Sequence, residues 1–299
     1  MRHSARLRRE RRLRGIGGAD SGASASGGRR AGTISGLGAA VAAGLVWGWY
    51  EAGWLRFRRL VVPVPDLPVE LEGTRIAHLS DFHLGIRSRG ALAVQRAVEW
   101  TAERQPDLVT ITGDLVSRPR GVAQLRRLLH RLGRAYAVLG NHDVEHSRDP
   151  FSRGAGLPDV APAHLLVDEA ETVVVRGRRV QLVGVDPRTY RRGRSRPWRL
   201  ADARADLRIL LCHFPPVLRR LPPGTFHLVL AGHMHDGQIS LPLPQDKLRL
   251  AHPRARYTAG LYERGGTVMH VSPGLGTTFV PFRFYARPEA TELVLQRVP

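Results

Sequence analysis

Five short apolar runs, each ending in an Asp, Asn or His, constrain the 299-residue chain more than any other feature of its sequence. Residues 134–139 close on Gly140-Asn141-His142-Asp143. Residues 75–80 run into Asp81-Phe82-His83, and 108–112 into Gly113-Asp114. Residues 207–212 lead to His213, and 228–231 to Gly232-His233-Met234-His235. Short apolar runs punctuated by glycine read as buried strands. Any one block also reads as a capped turn, since Asn, Asp and Gly are ordinary turn residues. Five in succession ask for more, because buried unpaired polar groups are costly. A shared partner at the carboxyl ends of strands, where open α/β sheets place ligands, accounts for all of them. Divalent metal ions fit that role.

The segments between these blocks set the fold class. Residues 91–103 read as a helix with Val94 and Val98 on one face, and Leu125, Leu128, Leu129 and Leu132 give the stripe of a second. The order strand, helix, strand, helix, strand predicts right-handed parallel crossovers in an α/β fold. Beyond Asp143 the texture turns to strands, at residues 165–167, 172–175, 180–185, 238–241, 268–271 and 291–296. These read as a second, mixed sheet packed on the first. The globular domain is expected over residues 69–299, opening with a strand at 69–71.

The N-terminal part reads differently. Residues 1–33, arginine-rich and then rich in Gly, Ser and Ala, are expected to be a disordered basic tail. Residues 34–55 are expected to be a single-pass transmembrane anchor: 17 residues from Ile34 to Tyr50 carry no charge, about 25 Å as a helix. Trp47, Trp49, Tyr50 and Trp54 crowd its far end as an interfacial belt would. A core helix or a cleaved signal peptide is the competing reading. Nine arginines precede the segment and three follow closely, which predicts a cytoplasmic tail and an extracytoplasmic domain at the cell membrane. Residues 56–68, broken by three prolines, read as a stiff linker.

Cys212 is the only cysteine, so no intramolecular disulfide forms. The net charge of +20 comes from arginines spread through every segment, without a nucleic-acid-binding signature. No nucleic-acid partner is expected, and the charge suits anionic lipid head groups or phosphorylated substrates. Nothing indicates the oligomeric state. The basic segment 188–199 reads as a solvated loop or as a lipid-facing one with Trp198 at the interface. Phe279, Phe282, Phe284 and Tyr285 read as core packing or as an acyl groove.

With all five blocks in view, Asp81-x-His83, Gly113-Asp114, Gly140-Asn141-His142-Asp143, His213 and Gly232-His233-x-His235, the chain resembles the calcineurin-like metallophosphoesterases. The likeness runs over residues 75–295 and is to their bacterial, membrane-associated phosphodiesterase branch. The resemblance implies a four-layer α/β/β/α sandwich with two mixed sheets, here preceded by the transmembrane helix. It implies two divalent metal ions, manganese first, with iron or zinc as alternatives. Asp81, His83 and His235 would hold one, Asn141, His213 and His233 the other, and Asp114 both. A hydroxide shared by the metals would attack phosphorus. His142, oriented by Asp143, would assist the leaving group, and His146 lies near enough to touch substrate. The implied function is a phosphodiesterase or pyrophosphatase acting on a phosphoester of an envelope lipid or nucleotide-linked lipid. A broad phosphomonoesterase or protein phosphatase, or a non-catalytic membrane-anchored binding module, are the alternatives. Three positions depart from the family pattern: Met234, Asp236 and Ser117.

Overall fold

The computed structural model describes residues 27–298 apart from 145–146, 154–155, 157–158 and 252. Most of the expected basic tail and His146 lie outside the described residues. The chain divides into two compact units, Met1–Ala42 and Ala43–Pro299. Helix α1 (Gly27–Glu51) begins in the first and ends in the second. No helix among the described residues is long and apolar enough to cross a membrane, which differs from the anchor expected over 34–55. The helix takes in Arg29, Arg30, Thr33, Ser35 and seven glycines, so its apolar side chains are spread thinly. It stops at Glu51, and that carboxylate is turned inward. Glu51 accepts hydrogen bonds from the Ala286 N–H at 2.9 Å and from Trp47 Nε1 at 3.1 Å.

In chain order the strands of the second unit begin with β1 (Arg56–Pro65), β2 (Arg75–Leu79), β3 (Leu108–Thr112), β4 (Tyr136–Val138) and β5 (His164–Leu165). They continue with β6 (Ala170–Val175), β7 (Arg178–Gly184), β8 (Leu207–Leu211), β9 (Leu228–Ala231), β10 (Ser240–Pro242) and β11 (Lys247–Arg249). The last three are β12 (Gly260–Arg264), β13 (Thr267–Val271) and β14 (Glu289–Val298). The helices are α2 (Gly90–Arg104), α3 (Val122–Leu132) and the short α4 (Pro187–Arg191). Two six-stranded sheets result, ordered β1-β14-β2-β3-β4-β5 and β12-β13-β9-β8-β7-β6, with β10 and β11 as a separate hairpin. Both sheets are mixed. In the first only β14 against β2 is antiparallel; in the second the two outer pairs, β12–β13 and β6–β7, are.

The period-two alternation of side chains along the strands divides the core into three slabs. Ile76, Leu108, Leu207, Ile209, Leu211, Leu228 and Leu230 meet between the sheets. Ala77, Leu79, Val109 and Ile111 point the other way, against Val94 and Val98 of α2 and Leu125 and Leu129 of α3. Leu210, Val229 and Met269 face outward from the second sheet. That outer face is covered by α4 and single turns of 3₁₀ helix around Phe214, Val217 and Leu218 rather than by long helices. Glu292 in β14 accepts Arg104 Nε and Nη2 at 2.9 and 2.7 Å, tying α2 to the first sheet by a bidentate fork.

Three expectations change. Residues 56–65 of the expected linker form β1, an edge strand paired with β14 from Arg56↔Glu289 to Pro65↔Val298. Val62 and Val64 are fully buried beneath it, and prolines are tolerated at a sheet edge, where no neighbour needs their missing N–H. Residues 69–71 form a 3₁₀ turn rather than a strand. The strands at 164–165 and 289–298 join the first sheet rather than the second, β14 by inserting between β1 and β2. His78 and His270 meet between the sheets with Nδ1 atoms 2.7 Å apart. Trp198 is half-buried against the outer cluster, with Arg196 over its ring.

Leu230 sits in the slab between the sheets with no exposed surface, whereas Val174 on β6 is largely exposed. Leu230→Ala should lower unfolding free energy in urea titration by about 2–5 kcal/mol, and Val174→Ala by at most about 0.5 kcal/mol.

Candidate metal centre

Every one of the seven predicted ligands lies beyond the carboxyl end of a parallel strand, and the two sheets bring those ends together. Asp81 and His83 follow β2, Asp114 follows β3 and Asn141 follows β4. His213 follows β8, and His233 and His235 follow β9. The loops that carry them are bent sharply. Asp81, His83, Asp114, His233 and His235 all have positive φ, between 45° and 74°, a backbone region costing of order 1–3 kcal/mol for residues with a Cβ. Two glycines let the loops approach: a Cβ on Gly140 would strike the Asp114 carboxylate, and one on Gly232 would strike Ser80 and Asp81.

Within this space the ligand atoms fall into connected groups. Asp81, His83 and His235 form one and Asp114, His213 and His233 another, each with ligand atoms within 4.8 Å of one another. Asp114 joins them: its Oδ2 lies 3.5 Å from His83 Nε2 and 3.2 Å from His213 Nε2. Asn141 Oδ1 stands 3.2 Å from His213 Nε2 and completes the second group. His142 also comes close, with Nε2 3.9 Å from Asp114 Oδ2, and it forms a third grouping with His83 and Asp114.

The donor chemistry fits cations. His83 Nε2 faces His235 Nε2 at 3.0 Å, and His213 Nε2 faces His233 Nδ1 at 3.1 Å. Imidazole nitrogens converge there beside two buried carboxylates, and Arg283 meets His235 on its other ring nitrogen, Nδ1, at 3.2 Å. Burial lowers the pKa of His83 well below its ordinary value, with His142 adding to the effect, and lowers His233 to about 3. Those rings are neutral at pH 7, as metal ligands must be. Burial pushes Asp81 up, but His235 and His213 together hold its carboxyl below the usual range. Burial opposes protonation of His213, yet Asp114 and Asp81 raise it to about 9. The two carboxylates therefore demand positive charge here. A mixed set of imidazoles, carboxylates and an amide suits manganese, iron or zinc better than calcium.

Outer partners fix the ring orientations. The Thr112 carbonyl accepts from His213 Nδ1 at 2.7 Å, which leaves Nε2 facing the cluster. Ser117, one of the departures from the family pattern, bonds His83 Nδ1 at 2.7 Å. Asp236, another departure, is buried and pairs with Lys247 and Arg249, so it ties the β10–β11 hairpin to the site loop. Met234 lines the adjoining pocket.

One expected role is corrected. Asp143 does not orient His142; it accepts the N–H groups of Gly140, Leu115 and Val116 at 2.8, 2.8 and 3.2 Å. Burial, aided by Asp114, pushes its pKa up to about 7. It staples the β4 loop to the β3 loop. His142 is held instead by Ser152 Oγ on Nδ1 at 3.1 Å and Ser147 Oγ on Nε2 at 3.0 Å. Those serines gave no signal in the sequence beyond lying in the same polar loop. Arg283 was equally silent among so many arginines. Fully buried, it donates to the carbonyls of Gly276, Pro273 and Ala286 and reaches His235 Nδ1 at 3.2 Å.

Comparison with known proteins agrees with this geometry. The profile of the family described as calcineurin-like phosphoesterase matches residues 74–237. The metallophosphoesterase YkoQ of Bacillus subtilis is 27% identical over 224 residues, covering 72% of this chain and 81% of that protein. A transmembrane protein with metallophosphoesterase domain from Danio rerio is 33% identical over 259 residues, covering 79% of this chain. The chain spans only 56% of that relative's length. The phosphodiesterase YaeI of Escherichia coli is 25% identical over 232 residues, covering 74% of this chain and 82% of its own.

Ser117→Ala removes the partner of His83 Nδ1 and should weaken metal affinity by about 10–100-fold in calorimetric titration with Mn²⁺ or Zn²⁺, leaving the fold intact. Gly140→Ala, by displacing Asp114, should lose more; an affinity equal to wild type in both would show that these contacts do not shape the site.

Proposed function

The chain belongs to the calcineurin-like phosphoesterase family and is a metal-dependent phosphoester hydrolase, and from that premise we propose that it is a phosphodiesterase working at a membrane surface. The observation that carries this reading is the convergence of Asp81, His83, Asp114, Asn141, His213, His233 and His235, of which Asp114, Asn141, His233 and His235 line one pocket. That pocket, about 670 Å³, is walled by Ile239, Leu250 and Val280 and contains His142. Asp81, His83 and His235 are assigned to one divalent ion, Asn141, His213 and His233 to the second, and Asp114 to both, with Mn²⁺ the proposed occupant. When bound, such a pair supplies Lewis-acid polarisation of the phosphoryl oxygens and lowers the pKa of a water.

The remaining work falls to the chain's own side chains. Asp114 receives the His142 backbone N–H at 2.8 Å, which fixes the imidazole over the floor of the pocket. His142 Nε2, braced by Ser147 and 3.5 Å from Thr278 Oγ1, is placed to give a proton to the departing ester oxygen. A diester carries two substituents on phosphorus, and the size of the pocket leaves room for both. The E. coli relative named as a phosphodiesterase supports the same choice.

Membrane contact is proposed through the end of α1. Val46, Trp47, Trp49, Tyr50 and Trp54 are exposed there, beside Arg89 over the Tyr50 ring and Arg287 over that of Trp54. Aromatic side chains flanked by arginine favour a lipid interface. The relative named as a transmembrane protein supports a membrane location, and the proposed substrate there is an envelope lipid or nucleotide-linked lipid.

After metal reconstitution, wild type should hydrolyse bis(p-nitrophenyl) phosphate. Asp114→Ala should lose both metal and activity, while His142→Ala should keep both ions and lose about 10²–10⁴-fold in kcat. Loss of metal from His142→Ala would make it a ligand instead, and turnover of p-nitrophenyl phosphate alone would make the enzyme a phosphomonoesterase. Changing Trp47 and Trp49 together to Ala should weaken sedimentation with anionic liposomes; unchanged sedimentation would remove α1 from the membrane contact.

A further inference from the structure

A second cavity, of about 520 Å³, adjoins the first, and Phe279 and Val280 belong to the walls of both. Its remaining lining divides by chemistry: Ile86, Phe151 and Pro281 are apolar, and Arg87, Arg118 and Arg120 are cationic. Among the described residues no carboxylate pairs with any of the three arginines. Among the described residues, Arg118 and Arg120 turn Nε alone onto protein, to the carbonyls of Phe151 and Gly85. Phe151 and Phe279 are about half exposed, at 50% and 47%. Clustered apolar exposure beside unpaired cations is the composition of a ligand site rather than of an ordinary surface.

The ridge between the cavities is held in place from both sides. Phe279 sits at φ +57°, a strained conformation for an aromatic residue. Its N–H and the Thr278 hydroxyl both donate to Asp149 Oδ2 at 2.9 Å. Gln238 grips the same ridge from the metal side. Its Nε2 donates to the Thr278 and Val280 carbonyls at 2.7 and 3.0 Å, and its Oε1 accepts the Thr278 N–H at 2.9 Å. Gln238 lies three residues from His235, so the ridge is coupled directly to a metal-site loop. Along the chain Pro281 is followed by Phe282, which meets Trp49 edge-on at 6.4 Å. The cavity wall thus continues into the exposed aromatic surface at the end of α1.

We infer that this second cavity binds an anionic phospholipid, its apolar chain against Ile86, Phe151, Phe279 and Pro281 and its anionic group on Arg87, Arg118 and Arg120. The assignment deepens the phosphodiesterase reading, on which it rests for the placement of the scissile phosphate in the first cavity. Neither an acidic protein segment nor a free sugar phosphate would use both halves of the lining. The ridge of Phe279 and Val280 is shared with the cavity that His142 lines, so a lipid held in the second cavity lies beside the first.

The test is equilibrium binding, which needs no turnover. Full-length, metal-reconstituted protein is titrated against fluorescently labelled phosphatidylglycerol in neutral detergent micelles and followed by anisotropy. Unlabelled phosphatidylglycerol should displace the probe at least tenfold better than phosphatidylcholine or the soluble head group sn-glycero-3-phosphoglycerol. Combining Arg87→Gln with Arg120→Gln should weaken binding at least tenfold, and Phe279→Ala should weaken it independently; the arginine positions are exposed, and circular dichroism checks each fold. Wild-type affinity in the arginine variant, or equal displacement by phosphatidylcholine, overturns the site. Displacement by the soluble head group as strong as by the lipid overturns the lipid source. A protein that hydrolyses bis(p-nitrophenyl) phosphate but binds no lipid sinks this inference alone, and one that binds lipid but hydrolyses no diester sinks the phosphodiesterase reading instead.

Discussion

Two buried carboxylates facing a ring of imidazole nitrogens is the interaction on which the rest of this molecule depends. Asp81 and Asp114 have almost no exposed surface, and an isolated buried carboxylate is expensive unless it is paired or bound to cations. Here the neighbours are histidines whose own burial keeps most of them neutral. The arrangement is therefore stable only with positive charge shared among several groups, and a pair of divalent ions supplies that charge without clashing donors. The backbone bears a visible cost for it. Seven non-glycine residues with positive φ lie in the site loops: Asp81, His83, Asp114, His233, His235, Asp236 and Gln238. Conformations of that kind persist only where surrounding structure over-determines them.

What over-determines them is the pair of sheets. Parallel strands in register, Ile76↔Leu108 on one side and Ile209↔Leu228 on the other, end at the same level and deliver their loops to one place. Buried hydrogen bonds then lock the loops to one another. Ser80 Oγ donates to the Thr112 carbonyl at 3.1 Å, Asp143 collects three N–H groups from two loops, and Arg283 gathers the carbonyls of Gly276, Pro273 and Ala286 beneath His235. The departures at Ser117 and Asp236 take on meaning in this setting. One orients a ligand ring, and the other anchors a hairpin beside the pocket.

The surface around the pocket has a different physical character from the floor. The floor is polar, buried and rigidly bonded; the rim is aromatic and half-exposed, and its Arg87, Arg118 and Arg120 have no carboxylate partner among the described residues. The exposed aromatic end of α1 and the second cavity both belong to the rim, since Trp49, Phe282, Pro281 and Phe279 link one to the other.

The sequence by itself determined the class of fold, the helices α2 and α3, and the residues that would meet. Each block carried its own signature, a short apolar run followed by a polar ligand, with a glycine between them at Gly113, Gly140 and Gly232. Local chemistry of that kind survives without knowledge of distant contacts. It did not determine that residues 56–65 form an edge strand or that β14 enters the first sheet between β1 and β2, because both depend on pairing across more than two hundred residues. Nor could it assign Ser152 to His142 or Asp143 to the β3 loop: a serine or aspartate in a polar loop has many local partners, and only the packed backbone selects one. The transmembrane expectation failed to match α1 for a related reason. An uncharged stretch gives a count of residues, whereas the folded helix starts at Gly27, ends at a buried Glu51 and docks its last turn on residues 283–286. Spacing along the chain sets what chemistry is available, and burial and pairing across it decide what each group does.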